Sequence, residues 1–152
     1  MLIMNNLSEN KIDKPVRFTF EKSERLCSKK TIDKLFAEGQ SVFSFPLKIV
    51  YLETGNLAKV HVQAGFAVSK KNFKRAVRRN LLKRRMREAF RLTKHEFYEL
   101  VNNIELAVFF VFTAKEEVDY AEIESAMKKG LKKLAREIYR NPNKKATDSP
   151  VQ

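Results

Sequence analysis

Apolar residues along the chain switch several times between helical and strand spacing, and the switches mark out a set of elements. Ile32, Leu35 and Phe36 recur at helical spacing between Ser28, a residue type that caps helix starts, and Gly39, one that ends helices. A first helix is predicted over about Lys29 to Glu38. From Ser41 to Glu53 the period shortens to two through Val42, Phe43, Phe45, Leu47, Ile49 and Tyr51, with Pro46 interrupting the middle. That pattern predicts two short strands or one broken strand. Thr54, Gly55 and Asn56 supply turn residues, after which Val60, Val62, Ala64, Phe66 and Val68 alternate again. A hairpin into a further strand over Lys59 to Ser69 is the expectation.

A long helical segment is predicted from about Lys74 to Thr93, with a short second helix after it ending near Asn103. The apolar stretch Glu105 to Thr113 has the length and composition of a buried strand. Asp119 then caps a last helix that carries Ile123, Met127, Leu131, Leu134 and Ile138 on one face. The order of elements predicts a sheet with helices packed on it, and the crossover through the long helix should make two strands parallel. A right-handed crossover is the default for such a connection. No internal repeat is evident, and 152 residues suit one domain. Residues 1–16 are expected as a flexible N-terminal extension, 17–140 as the folded domain, and 141–152, rich in Pro, Asn and Ser, as a disordered tail.

Charge changes the picture more than any other property. The chain carries 31 Lys and Arg against 18 Asp and Glu, a formal net charge of +13, far beyond what solubility requires. Such an excess predicts a polyanionic partner, nucleic acid or an anionic membrane surface. Nearly all of it falls between Lys70 and Lys94, where twelve basic residues face one acid, Glu88. On a helix, Leu82, Met86, Ala89 and Phe90 form a core-facing stripe, while Asn80, Lys83, Arg84, Arg87 and Arg91 line a different face. Like charges at this spacing repel, costing on the order of 0.2 to 0.5 kcal/mol per pair, so a merely solvated face would interleave acids. Bound phosphates relieve that repulsion, and guanidinium groups grip phosphate in a bidentate fork. The nucleic-acid-binding candidates, read as RNA-binding once the resemblance below is taken into account, are Lys70, Lys71, Lys74, Arg75, Arg79, Asn80, Lys83, Arg84, Arg87 and Arg91. A membrane role fits poorly, because the strands need the same apolar stripe for their core.

Other chemistries find little support. Cys27 is the single cysteine, which rules out an intramolecular disulfide and fits a reducing cytosol. The first residues lack the apolar core of a signal peptide, and the longest apolar run, Leu106 to Phe112, is far too short to span a bilayer. His61 and His95 are isolated, Glu116, Glu117 and Asp119 read as helix-start residues, and the four glycines make no phosphate-cradling loop. No catalytic or metal-binding constellation emerges.

The run from Phe73 to Arg87, with Ala76, Arg79-Asn80, Leu82, Lys83-Arg84, Met86 and Arg87 at fixed spacing, resembles the signature of the bacterial ribonuclease P protein subunit. The preceding Gly65-Phe66-Ala67-Val68-Ser69-Lys70-Lys71 looks like the family's strand before its basic helix, and Arg25-Leu26 with Ile32, Phe36 and Gly39 is similar to its first helix. The similarity covers about residues 17 to 139. Where many members read Arg-Asn-Arg, this chain has Leu81, and Ile32 stands where the family often has an aromatic residue.

The resemblance implies an α+β fold, a two-layer α/β sandwich with a four-stranded mixed sheet, about three helices and a left-handed crossover at the basic helix, opposite to the default. It implies a protein that binds a catalytic RNA and the 5′ leader of precursor tRNA, with Mg²⁺ held mainly by the RNA and hydrolysis performed by the RNA–protein holoenzyme in the cytoplasm. It points to no membrane and no obligate protein partner. By motif position the leader-cleft residues would be Phe36, Val50 and Ile32, with Phe18 and Phe20 as further candidates. A single-stranded leader of arbitrary sequence suits a basic groove with aromatic or apolar platforms, since every base has a stacking face. The alternative is a basic RNA- or DNA-binding protein that works alone without cleavage.

Overall fold

A computed structural model describes residue 20 and residues 22–54, 62–101 and 104–140. The expected tails, the Gly55-Asn56 turn, His61, Phe18 and Asn103 lie outside the described residues. After a 3-10 turn at Lys22–Glu24, helix α1 spans Lys29–Glu38. The Ser28 hydroxyl accepts from the Thr31 N–H, and the Gly39 N–H donates to the Leu35 carbonyl at 2.7 Å. Gly39 sits at φ −72°, so close approach, rather than a left-handed turn, calls for glycine. A Cβ there would stand 2.8 Å from the Tyr51 carbonyl and nearer still to that of Leu35.

Strands β1 (Gln40–Ser44) and β2 (Leu47–Glu53) form an antiparallel hairpin around the Phe45-Pro46 turn, which settles the two-strand alternative. Strand β3 spans Val62–Val68 and β4 spans Leu106–Phe112. The sheet order is β1-β2-β4-β3, with β2 and β4 antiparallel and β3 and β4 parallel. The expected hairpin between β2 and β3 is therefore not formed, because β4 lies between them. Its run of Leu106 to Phe112 is apolar on both faces, which suits a central strand buried from both sides. The Thr54 N–H to the Glu105 carbonyl and the Thr113 N–H to the Pro46 carbonyl, both 2.8 Å, extend the β2–β4 ladder past each end.

Helix α2 (Ala76–Leu100) makes the crossover between the two parallel strands, and α3 (Tyr120–Arg140) packs beside it. A break in the basic helix near Thr93 was the expectation, yet α2 is continuous for 25 residues. Two polar residues that look like an end are absorbed. The Thr93 hydroxyl donates back to the Ala89 carbonyl at 2.8 Å, and Lys94 turns inward, so the apolar stripe runs on through Phe97 and Val101. At α3 the Asp119 carboxylate accepts from the Glu122 N–H, the cap expected there. The stripes of both helices are buried against Leu47, Ile49, Val108, Phe110 and Phe112 on one face of the sheet, which makes the two-layer sandwich. Helix α1 lies on the other face, where Leu35 packs over Val50, Leu52, Ala107 and Phe109. It reaches β2 and β4 and leaves part of that face open.

Candidate nucleic-acid interface

The approach to α2 is a tight turn that displays charge. Phe73 is buried, edge-to-face on Phe112 at 5.8 Å, while Lys70, Lys71, Lys74 and Arg75 remain exposed around it. Arg79 holds this turn in place, since its Nη1 donates to the carbonyls of Phe73 and Lys74 at 2.8 Å each. A residue expected to contact phosphate thus first positions four others, with its remaining guanidinium donors still available. Arg75 caps the helix without a side-chain bond and no acid stands in the first turn, so the positive end of the helix dipole is not offset by an acid of its own turn.

Beyond the first turn the basic residues divide into two sets. Asn80, Arg84 and Arg87 are exposed on one face, with Lys83 half-buried beside them. The Arg87 guanidinium lies 5.8 Å from the centroid of the Phe66 ring, which itself stacks on Phe110 at 5.4 Å. The second set is held by the protein. Arg85 donates to the Val118 carbonyl at 2.8 Å and Arg78 pairs with Glu117 at 3.3 Å. Arg91 donates to Glu88, and that hydrogen bond lowers the Glu88 pKa and raises that of Arg91, so this pair offers phosphate less net charge than expected. Lys94 is only 3% exposed; its Nζ meets Glu24 Oε1 at 2.6 Å, and the Tyr98 hydroxyl donates to the same oxygen. Lys94 belongs to the interior rather than to the displayed charge.

One cationic residue of the surface carries no signal in the charge pattern. Arg25 follows the 3-10 turn, and its strand-like bridge to Ala64 adds a short segment to the free edge of β3. There it lines a cavity of about 280 Å³ with Phe20, Leu26, Gly65, Phe66 and Arg87. Phe20, one of the further cleft candidates, packs edge-to-face on both Phe66 and Phe90 at 5.8 Å and closes the core instead.

The cleft candidates sit on the opposite face of the sheet. Phe36 is 51% exposed, its ring edge-to-face on Phe109 at 5.2 Å. Ile32 is half-buried and packs against the same cluster, whereas Val50 is only 6% exposed because α1 covers it. Val50 is thus a floor under the helix, and Phe36 is the ring on offer. In the next row of the sheet, Ala67 and Val111 are half-buried against the edge of that cluster and Lys48, in register with them, is exposed. Gly65 makes the Phe109 position feasible: a Cβ there would meet the Phe109 ring at 2.6 Å. Gly65→Ala is expected to displace that ring and destabilise the fold by about 1–3 kcal/mol through overpacking. Urea unfolding measures the cost, and an unchanged midpoint would show that the ring is free to move.

Elsewhere, Cys27 is exposed, Asp119 is used as a helix cap and Glu117 is held by Arg78. Among the described residues no group of three or more His, Cys, Asp or Glu is placed to hold a metal ion, and no helix is long and apolar enough to cross a membrane.

The family model described as Ribonuclease P matches residues 20–135, a span that holds both the basic face of α2 and the Phe36 cleft. The chain belongs to the ribonuclease P protein family. A ribonuclease P protein component from Porphyromonas gingivalis is 34% identical over 123 residues, covering 80% of this chain and 90% of that protein. One from Chlorobium phaeobacteroides is 42% identical over 85 residues, covering 54% and 58%. Among solved structures, the ribonuclease P protein from Thermotoga maritima aligns with a TM-score of 0.58 at 25% identity over 72% of this chain and 96% of that one. The Staphylococcus aureus protein, at 22% identity and a TM-score of 0.58, shares the fold over 73% and 94%. Relative to the family pattern, Leu81 is half-buried one helical step of about 100° past Asn80, so the Asn80-to-Arg87 face keeps its own basic residues.

Proposed function

We propose that the chain is the protein subunit of the ribonuclease P ribonucleoprotein, binding the catalytic RNA through α2 and the 5′ leader of precursor tRNA through the Phe36 cleft. The observation that carries this is the pairing of two surfaces on one rigid sheet: a helix with Asn80, Lys83, Arg84 and Arg87 on one face, and a partly open sheet face with an aromatic ring exposed above it. The first neutralises phosphates at fixed positions, and the second stacks unpaired bases without regard to sequence. In this reading the holoenzyme is a cytoplasmic endoribonuclease that generates the mature tRNA 5′ end. Mg²⁺, held mainly by the RNA, supplies the charge that assists phosphodiester hydrolysis. The chain's own work is to bind, orient and screen: bringing Lys and Arg between two polyanions lowers their repulsion, so less divalent cation is needed to hold them together.

The test is cleavage of a precursor tRNA with a labelled leader at low Mg²⁺, with the protein, with a bacterial ribonuclease P RNA, and with both. Cleavage at the mature 5′ end is expected only where the RNA is present, and at lower Mg²⁺ when the protein is added. Phe36→Ala should weaken binding of leader-bearing substrate by roughly 5- to 100-fold, the loss of one base stack. A protein that binds RNA yet never assists cleavage would instead be a stand-alone nucleic-acid-binding module.

A further inference from the structure

Phe43 and Phe45 are 51% and 60% exposed, and their ring centroids stand 6.4 Å apart at the β1–β2 turn. Neither is needed by the core on the helical face, where Val42 and Leu47 are the buried neighbours. The strand period puts Phe43 on the same face of the sheet as Phe36 and Phe109, but α1 packs on β2 and β4 and does not cover it. Two neighbouring exposed aromatic rings at the end of an edge strand are an aggregation liability unless a partner covers them.

The register shows what they adjoin. Ala67, Val111, Lys48 and Phe43 form one row across β3, β4, β2 and β1, alongside the row that holds Phe109 and Val50. Phe43 thus lies about 10 Å, two strand spacings, from the β4 position at the middle of the open face. Along the row Ala67 and Val111 give an apolar floor, Lys48 follows as a basic residue, and Phe43 closes it at the β1 edge. Lys48 is exposed directly opposite Phe43, and Lys133 from α3 donates to the Phe43 carbonyl at 3.0 Å. Lys115, Glu116 and Glu117 line a cavity beside Phe45, and Arg78 holds Glu117. Phosphates would therefore run along the open face past Lys48, with Lys133 at the β1 edge.

We propose that Phe43 and Phe45 form a second base-stacking subsite at the β1 end of the open sheet face, taking unpaired nucleotides of the same single-stranded RNA that Phe36 holds. The subsite rests on the leader-binding reading and extends it to longer leaders. Basic side chains beside paired rings are the combination that holds single strands without sequence preference.

Precursor tRNAs whose leaders are lengthened one nucleotide at a time test it, with affinity measured for the assembled RNA–protein complex. Two successive rises are expected for the wild type, one as the leader reaches Phe36 and another as it reaches Phe43 and Phe45. A Phe43→Thr, Phe45→Thr double variant should lose only the later rise, about tenfold for one base stack, while Phe43→Tyr, Phe45→Tyr retains it. Circular dichroism and thermal unfolding establish that the Thr variant is folded, and Lys48→Ala should lower the later rise without touching either ring. A Thr variant with the wild-type profile overturns the subsite, while the Phe36 step keeps the leader-binding reading standing. Equal weakening at every leader length also overturns it and assigns the pair to the catalytic RNA. Loss of a wild-type dimer with no change in the profile overturns it in favour of self-association. No dependence on leader length in any protein, Phe36→Ala included, removes the underlying reading itself.

Discussion

Arg84→Ala with Arg87→Ala is expected to weaken binding of the catalytic RNA by roughly 100-fold, two charge-assisted contacts at about 1.5 kcal/mol each. Both side chains are exposed, and neither is engaged in an ion pair among the described residues. The slope of log affinity against log salt should flatten by about 1.5 units, since two fewer phosphates are neutralised. Arg87 also loses its position over Phe66, worth about 0.5–1 kcal/mol of stability at an exposed site, so the Arg84 variant alone is the cleaner probe. Arg79→Ala should differ in kind. It removes two carbonyl bonds that shape the Lys70-to-Lys74 turn, so a drop in unfolding midpoint accompanies its loss of affinity. Arg91→Ala should do least, because Glu88 already offsets its charge. Equal affinity and equal salt slope for the wild type and the Arg84, Arg87 variant would remove α2 from the interface.

Local signals in the chain proved dependable where a single element decides the outcome. Ser28 and Gly39 bound α1 at the expected residues, Pro46 sits in the β1–β2 turn, and the stripes on α2 and α3 are buried as their periodicity demands. What escaped the sequence depends on partners distant in the chain. Turn residues after β2 suggest a local hairpin, but β4 offers β2 an apolar strand that needs cover on both faces, and a local pattern cannot show that competition. The same holds within the site. Periodicity places Lys94 among basic neighbours, and only the fold brings Glu24 to it from 70 residues away. Arg79 fits the charge pattern equally well as a phosphate ligand or as a latch, and the two carbonyls that give it the second role are irregular backbone. Val50 carries an apolar signal compatible with a cleft wall or with core, and the placement of Leu35 above it decides for a covered floor. Charge marks α2 as the candidate interface because repulsion among like charges needs relief; it could not tell which cations the protein uses for itself.

Glu24→Ala is expected to destabilise the fold by about 3–5 kcal/mol, the cost of removing one partner of a buried ion pair. The lost carboxylate serves two groups at 2.6 Å, the Lys94 ammonium and the Tyr98 hydroxyl. Replacing both charged residues, Glu24→Leu with Lys94→Met, should recover much of the loss, because neither charge then has to be desolvated. A double-mutant cycle by urea unfolding reads the coupling, and additive single losses would refute it. Burial, and secondarily the bond to Glu24, pushes the Tyr98 pKa well above its ordinary value. The folded pKa is raised, so this stabilisation is fully present below about pH 10, the unfolded phenol value, and declines as pH climbs above it. Tyr98→Phe should make the alkaline decline shallower in urea unfolding above about pH 10, with the Tyr51 and Tyr120 hydroxyls, whose pKa values are also raised, carrying what remains. The pair has a functional consequence as well, since it ties the turn at Lys22–Glu24 to the distal half of α2 and so sets Arg25 beside Arg87 across Phe66. Glu24→Ala should therefore weaken RNA binding under conditions where the variant is still folded, whereas the charge-free double variant, with that turn docked again by apolar contact, should bind nearly as the wild type does.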